Sequence, residues 1–237
     1  NIPTLLMADI IHGFRTIFPI PLALGSTWDE AAVEKMAEIS AKEAAVSGLH
    51  VTFSPMVDLV RDPRWGRVME STGEDPLLNS RLAAAMVRGY QGENLKEDNW
   101  RVAACVKHFA AYGGALAGRD YNTVDMSERQ LREMYLPGYK AGLDAGAKLV
   151  MTSFNTVDGI PATGNQWLFR DVLRNEFGFE GVVISDWGAI KELIPHGVAK
   201  DEKQAAELAI KAGVDIEMMT TCYPDYLKEL LEEIGRA

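Results

Sequence analysis

The sequence predicts a parallel α/β fold, a (β/α)8 TIM-like barrel that is incomplete in this chain, on three observations. Short apolar runs recur, each leading through a polar or glycine-bearing loop into a stretch of helical periodicity. The runs are continuously apolar rather than alternating, as strands covered on both faces are. No GxGxxG or GxxxxGK[ST] loop follows any run, which removes the usual nucleotide-binding reason for an open doubly wound sheet and favours the closed one.

In chain order the runs are TLLMAD, HVTFSP, VAACVKHF, KLVMTSF, GVVISD and GVDIEM. Between the first two, a helix is predicted over 27–46. Thr27 and Glu30 stand there at capping-box spacing, and Ala31, Met36, Ile39 and Ala44 supply an apolar stripe. Further helices are predicted over 80–90, 127–143, 166–176, 202–212 and 225–233, the second of these opened by Ser127 and Gln130 at the same capping spacing. Pro137 falls inside that helix and is expected to kink or split it, because it has no N–H to donate. Residues 57–73 form the one long charged loop. About six strand–helix units are visible where a barrel has eight. Together with abrupt ends at Asn1 and Ala237, this leads to the expectation of one partial domain over 1–237, cut from a longer chain at both ends.

The bulk numbers exclude several classes. With 24 Lys and Arg against 34 Asp and Glu, the net charge is -10 and no basic run exists, so nucleic acid and anionic membrane are not expected partners. Cys105 and Cys222 lie far apart, which indicates neither a disulfide framework nor a zinc site, and Cys105 reads as a core residue. No apolar run approaches a membrane span.

In barrels of this kind, chemistry sits at the C-terminal ends of the strands. Those places hold Asp9, His12, Asp58, the RDPRWGR stretch from Arg61 to Arg67, Lys107, His108, Asn155, Asp186, Trp187 and Glu217. Carboxylates, cations and an aromatic wall converging on one mouth suit a neutral polyol such as a sugar. Each residue also has an ordinary structural role open to it. Asp186 can cap a helix or pair with an arginine. Lys107 and His108 are neighbours, so on an extended strand they point opposite ways and one of them simply closes the barrel. Arg61, Asp62, Arg64 and Arg67 can form a solvated network of little energetic weight, although Trp65 among them argues against plain exposure.

RDPRWGR followed by ESTGEDP, then KHFAAYG, GRDYNTVDMSER and VISDWGA, with the opening LLMADIIHGFRTIFPIPLALGSTWD, resemble the N-terminal catalytic barrel of glycoside hydrolase family three. That is the β-glucosidase family, and the likeness is strongest to its bacterial periplasmic kind. The resemblance implies that Asp186 is the nucleophile of a retaining hydrolase that removes terminal non-reducing β-D-glucosyl residues through a covalent glycosyl-enzyme intermediate. By the same resemblance Arg67, Lys107 and His108 grip sugar hydroxyls, and Asp9 takes a hydroxyl pair on the far side. Trp187 is the platform for the next sugar, and Met151 and Phe154 also touch substrate. No cofactor and no metal is implied, and the compartment implied is periplasmic or extracellular.

Two departures matter. Family members often carry Tyr after the fourth strand to support the nucleophile, where this chain has Phe154. The general acid of two-domain members comes from a following C-terminal α/β sandwich domain. Within 1–237, Glu70, Glu74 and Glu217 are the first places to seek a substitute. The branch that cleaves N-acetylglucosamine uses a His in the loop after KHF, and AAYGGALAGRDYNTVD contains none. The rival readings are a β-xylosidase or α-L-arabinofuranosidase of the same family, and a non-catalytic sugar-binding barrel.

Overall fold

The computed structural model describes residues 3–121 and 123–234. Its strands are β1 (Met7–Ala8), β2 (Val51–Thr52), β3 (Ala103–Phe109), β4 (Leu149–Thr152), a small antiparallel pair β5 (Thr156–Val157) and β6 (Ile160–Pro161), and β7 (Val182–Ile184). The main sheet is wholly parallel in the order β1-β2-β3-β4-β7. An order that follows the chain has no reversal point. It is the arc of a barrel rather than a doubly wound sheet. The sixth run, GVDIEM, does not form a strand and joins the arc through one parallel bridge, Ile184 with Ile216. Asp215 explains the shortness, since its carboxylate takes the Val183 amide (2.8 Å) in place of a longer ladder.

Side chains alternate across this arc as the pleat requires. Val51, Ala103, Cys105, Leu149, Met151 and Ile184 point to the concave side and form one apolar cluster. Ala104, Val106, Val150 and Val183 point outward into the larger core shared with the helices. Those helices are α1 (Pro21–Gly25), α2 (Glu30–Val46), α3 (Pro76–Gln91), α4 (Glu128–Gln130), α5 (Leu136–Asp144), α6 (Glu202–Ala212) and α7 (Cys222–Ile234).

Several helix starts correct the sequence reading. Thr27 is not the cap of α2: its hydroxyl donates to Leu24 O (2.6 Å) and closes α1, and Asp29 caps α2 by accepting from Ala32 N (3.0 Å). A carboxylate at the cap satisfies a free N–H and favours the helix dipole, together on the order of 1 kcal/mol. α3 starts at Pro76, four residues earlier than expected, with Asp75 capping Leu78 N (2.7 Å) and proline at the first turn, where it costs no hydrogen bond. α7 also starts early, because Glu217 accepts from the amides of Cys222 (3.0 Å) and Tyr223 (2.7 Å). Ser127 does cap α4 through Gln130 N (3.1 Å).

Pro137 splits its helix as expected. The turn before it, Leu131–Tyr135, is π-helical, and α5 restarts with the proline in its first turn. The predicted helix over 166–176 is a π-helix, Trp167–Glu176, opened by Asn165 accepting from Leu168 N (3.2 Å).

Candidate active site

The site is built where β1, β2, β3 and β7 deliver polar side chains to one end of the arc. The pairing of β3 with β4 slips between Val106 and Phe109. Irregularities of this kind re-aim side chains next to active sites. Here the expectation that Lys107 and His108 point opposite ways is overturned, since both reach the same cluster. The Lys107 ammonium, almost wholly buried, donates to Asp9 Oδ1 (2.7 Å) and lies 3.8 Å from Glu70 Oε2. His108 Nε2 lies 3.3 Å from Asp186 Oδ2.

Asp186 follows β7 directly. Its Oδ1 accepts the amide of Trp187 (2.7 Å), a local turn that fixes the carboxylate, and its own amide donates to Thr152 Oγ1 (3.3 Å). Its Oδ2 and the facing His108 Nε2 are both buried without a hydrogen-bond partner. Unsatisfied buried polar atoms are rare, and two that face each other mark a place prepared for something else.

Behind His108 the network is closed. Its Nδ1 is 2.7 Å from Asp58 Oδ2, which also accepts the His108 amide (3.0 Å). Asp58 Oδ1 takes the Tyr139 hydroxyl (2.6 Å), which receives the Ala111 amide (3.1 Å). Burial pushes the Asp58 carboxyl up to about 6, against the hydrogen bonds from Tyr139 and His108. Burial first, and then the charge of Arg67, push the His108 imidazole down to about 3, with Asp186 pulling the other way. At pH 7 the ring is neutral.

Arg67 does not present a free fork. Its Nε and Nη2 grip Glu70 (2.7 and 3.0 Å), and its guanidinium lies over the Tyr112 ring at 5.6 Å. Burial opposes its charge, but Glu70 more than restores it, so the group is held cationic. Glu70 in turn is held below the ordinary carboxylate range by Arg67, which outweighs burial. An ionised Glu70 cannot serve as a proton donor. Glu217 is equally committed, to the start of α7 and to the Thr220 hydroxyl. Among the described residues Glu74 has no side-chain hydrogen bond or ion pair, and the cap of α3 is Asp75.

The aromatic wall centres on Tyr112, which meets His108, Trp65 and Phe154 edge-on at 5.3, 5.2 and 5.7 Å. Trp65 anchors the charged loop by donating to Asp120 Oδ1 (2.9 Å). Phe154 is buried and stacks on Tyr121 at 4.2 Å. Trp187 is 62% exposed beside Asp186, whereas Met151 lies in the concave apolar cluster beneath.

Sequence reasoning gave no role to Asp58 beyond its place after a strand, and none to Tyr139 or Glu192. Tyr139 arrives on α5 from 81 residues away in sequence, which leaves no local signal. Glu192 lies on the turn Lys191–Leu193 that follows the Asp186 loop, where no motif marks it. In the fold, burial and then the charge of Asp186 push its carboxyl up to about 7.

Comparisons with known proteins bear on the chain as a whole. Residues 1–236 match the family described as Glycosyl hydrolase family 3 N terminal domain. A periplasmic beta-glucosidase of Salmonella typhimurium is 50% identical over 232 residues, 98% of this chain and 30% of the relative. A beta-xylosidase of Formosa agariphila is 38% identical over 232 residues, 92% of this chain and 32% of that relative. A solved beta-glucosidase of Listeria innocua in complex with glucose matches with a TM-score of 0.97 at 65% identity, covering 98% of this chain and 32% of that one. The chain thus spans about a third of the length of these relatives. Among the described residues no helix is long and apolar enough to cross a membrane. The barrel arc, the strand-end carboxylate and the motifs that frame it all fall inside that match, and this chain belongs to glycosyl hydrolase family 3, as its N-terminal domain.

Proposed function

We propose that this chain carries the nucleophile and the sugar-binding half of a retaining β-glucosidase. The observation that carries the reading is Asp186, fixed at the end of β7 by the Trp187 amide, with its second oxygen unpartnered and facing the His108–Lys107–Asp9 cluster. In the first step a carboxylate oxygen of Asp186 bonds to the anomeric carbon while the bond from that carbon to the leaving oxygen breaks, and the leaving oxygen takes a proton from a second carboxyl. Water then attacks the same carbon, gives its proton to that carboxylate, and frees Asp186. The proton donor belongs about 5 to 5.5 Å from the nucleophile in a retaining enzyme. Glu70 and Glu217 are otherwise engaged and Glu74 is exposed at the entry to α3, so a C-terminal α/β sandwich domain of the whole protein is the source we assign.

Lys107, with Asp9 as its partner, presents a charged pair to sugar hydroxyls, and charge-assisted bonds of this type are the strong ones. Trp187 offers an exposed indole to the next ring. One relative is named a periplasmic beta-glucosidase, and on that likeness we assign this protein to the periplasm or the exterior. The β-xylosidase relative keeps one rival in play. Asp9 is open to solvent and suits the hydroxymethyl group that a hexose has and a pentose lacks, which favours glucose.

The test is trapping with a 2-fluoro-β-glucoside, followed by mass spectrometry of the peptide containing ISDWG. Label on Asp186 is the expected result. Turnover without label there would end this reading, and a higher kcat/KM for an aryl xyloside than for the glucoside would move the protein to the rival activity.

A further inference from the structure

The Asp58–His108 pair has a proton arrangement that the contacts alone determine. Asp58 Oδ2 accepts the backbone N–H of His108, so at that oxygen Asp58 is an acceptor. The same oxygen is 2.7 Å from His108 Nδ1, and a bond that short between them requires the hydrogen to sit on Nδ1. The Tyr139 hydroxyl closes the other side of the carboxylate at 2.6 Å. Asp58, His108 and Tyr139 are all buried, so water offers no competing partner.

We propose that Asp58 is a positioning residue that locks His108 in its Nδ1–H form, so that Nε2 faces the nucleophile as a bare acceptor. The assignment rests on the β-glucosidase reading of Asp186 and deepens it. With Nδ1–H fixed and the ring neutral, Nε2 has a lone pair and nothing to donate. Asp186 Oδ2, 3.3 Å away, is likewise an acceptor, and neither atom has a hydrogen-bond partner. The gap is therefore completed by a donor, and a hydroxyl of the bound sugar next to the reacting carbon has the right chemistry. The opposite tautomer would put a proton on Nε2 in place of the lone pair, so that the ring could no longer accept from that hydroxyl.

The groups that set the charge of this ring come from every side of it. Arg67 and Glu70 stand on the long loop, Lys107 on β3, Asp186 after β7, Asp58 after β2 and Tyr139 on α5, with the Tyr112 ring at its edge. Arg67 and Lys107 oppose a second proton, and Asp186 and Glu70 favour one. Full burial adds to the opposition.

The lock is a matter of hydrogen-bond pattern rather than of charge, which separates two substitutions. In Asp58→Asn the amide oxygen can still accept from His108 N–H and Nδ1–H, while the NH2 donates to the Tyr139 oxygen and Tyr139 passes its proton to the His108 carbonyl, already 2.6 Å away. In Asp58→Ala no acceptor remains at Nδ1, and the ring is free to take the Nε2–H form.

The experiment uses the whole protein. Long-range 1H–15N correlation of the imidazoles, assigned by a His108→Gln variant, reads the wild-type tautomer directly at pH 7. Protonated Nδ1 with bare Nε2 is expected, and a proton on Nε2, in the neutral or the charged ring, would overturn the assignment. Rates of 2-fluoroglucoside trapping are then compared. Asp58→Ala is expected to trap Asp186 about 10²-fold more slowly or worse through loss of kcat, whereas Asp58→Asn stays within about 10-fold of wild type. Asn as slow as Ala, or Ala as fast as wild type, would overturn it. If the alanine variant does not fold, the wild-type nitrogen shifts and the asparagine rate still decide. Absence of label in the unmodified protein is a different result: it removes the glucosidase reading, while the nitrogen shifts report on Asp58 regardless.

Discussion

The floor of the site and its rim are built by opposite rules. On the floor, Asp58, Lys107, His108 and Tyr139 are buried, and each makes at least one short hydrogen bond to another site residue. At the rim, Trp187 and Tyr121 are exposed, and among the described residues the Glu192 carboxyl has neither a hydrogen bond nor an ion pair. The floor is thus fixed by contacts within this chain before any ligand arrives, which is the condition for electrostatic preorganisation. The rim keeps its bonding capacity for partners outside the chain. Substitutions on the floor are expected to change kcat and stability together, and those on the rim to change affinity or pH response alone.

The comparison breaks most visibly at Asp186. Asp186→Ala is expected to lower kcat roughly 10⁴-fold or more with little change in folding, since the carboxylate is at the edge of the floor and one of its oxygens is unpartnered. Steady-state assays on an aryl β-glucoside alongside thermal unfolding measure both. A residual rate within tenfold of wild type would mean another nucleophile.

Next comes Arg67→Ala, which leaves Glu70 half-buried with only Lys107 at 3.8 Å. A loss of about 2 kcal/mol in stability is expected, discounted for the partial exposure of both partners, together with a lower kcat. Urea unfolding gives the first number. An unchanged midpoint would show that Glu70 takes up a proton or moves to solvent, and that the floor is softer than described.

At the rim, Trp187→Ala is expected to raise KM for a disaccharide about tenfold, as loss of one stacking contact does, and to leave KM for a small aryl glucoside and the unfolding midpoint nearly unchanged. A destabilised protein would place the indole in the core after all.

The smallest effect is that of Glu192→Gln. In the folded chain this carboxyl is raised from 4.5 to about 7, so the folded state keeps a proton that the unfolded chain releases. Its contribution is complete below about pH 4.5 and disappears as pH rises through about 7. Glutamine cannot ionise. The variant is therefore expected to gain on wild type between pH 5 and 8, by about 2 °C in Tm at the upper end. A difference that does not vary with pH would mean that neither burial nor the charge of Asp186 raises this carboxyl.

Much of the scaffold was legible in the chain, because periodicity and caps are local. Helix α6 falls over the residues expected, 202–212, between Asp201 and Gly213. Thr27 misled because two polar residues near a helix start compete for the cap, and the closure of α1 decided between them. The short sixth run misled because its apolar content matched a strand, whereas Asp215 consumed the ladder position. Within the site, Asp9, Lys107, His108 and Asp186 were marked by their place at strand ends and by the motifs that contain them. Met151 sits deeper, among apolar neighbours.

By itself the sequence determined the parallel arc, the order of its strands and the identity of the carboxylate at the end of β7, since apolar runs, turn residues and motifs are written within short windows. Only the tertiary structure decided that Lys107 and His108 share one cluster, that Arg67 spends its fork on Glu70, and that Asp58 and Tyr139 stand behind the histidine. Those facts depend on burial and on pairs 3 to 98 residues apart in sequence, from Arg67–Glu70 to Asp9–Lys107. Which atoms are left without a partner is a property of the packed whole, because each buried donor or acceptor is satisfied only by what the fold brings within reach.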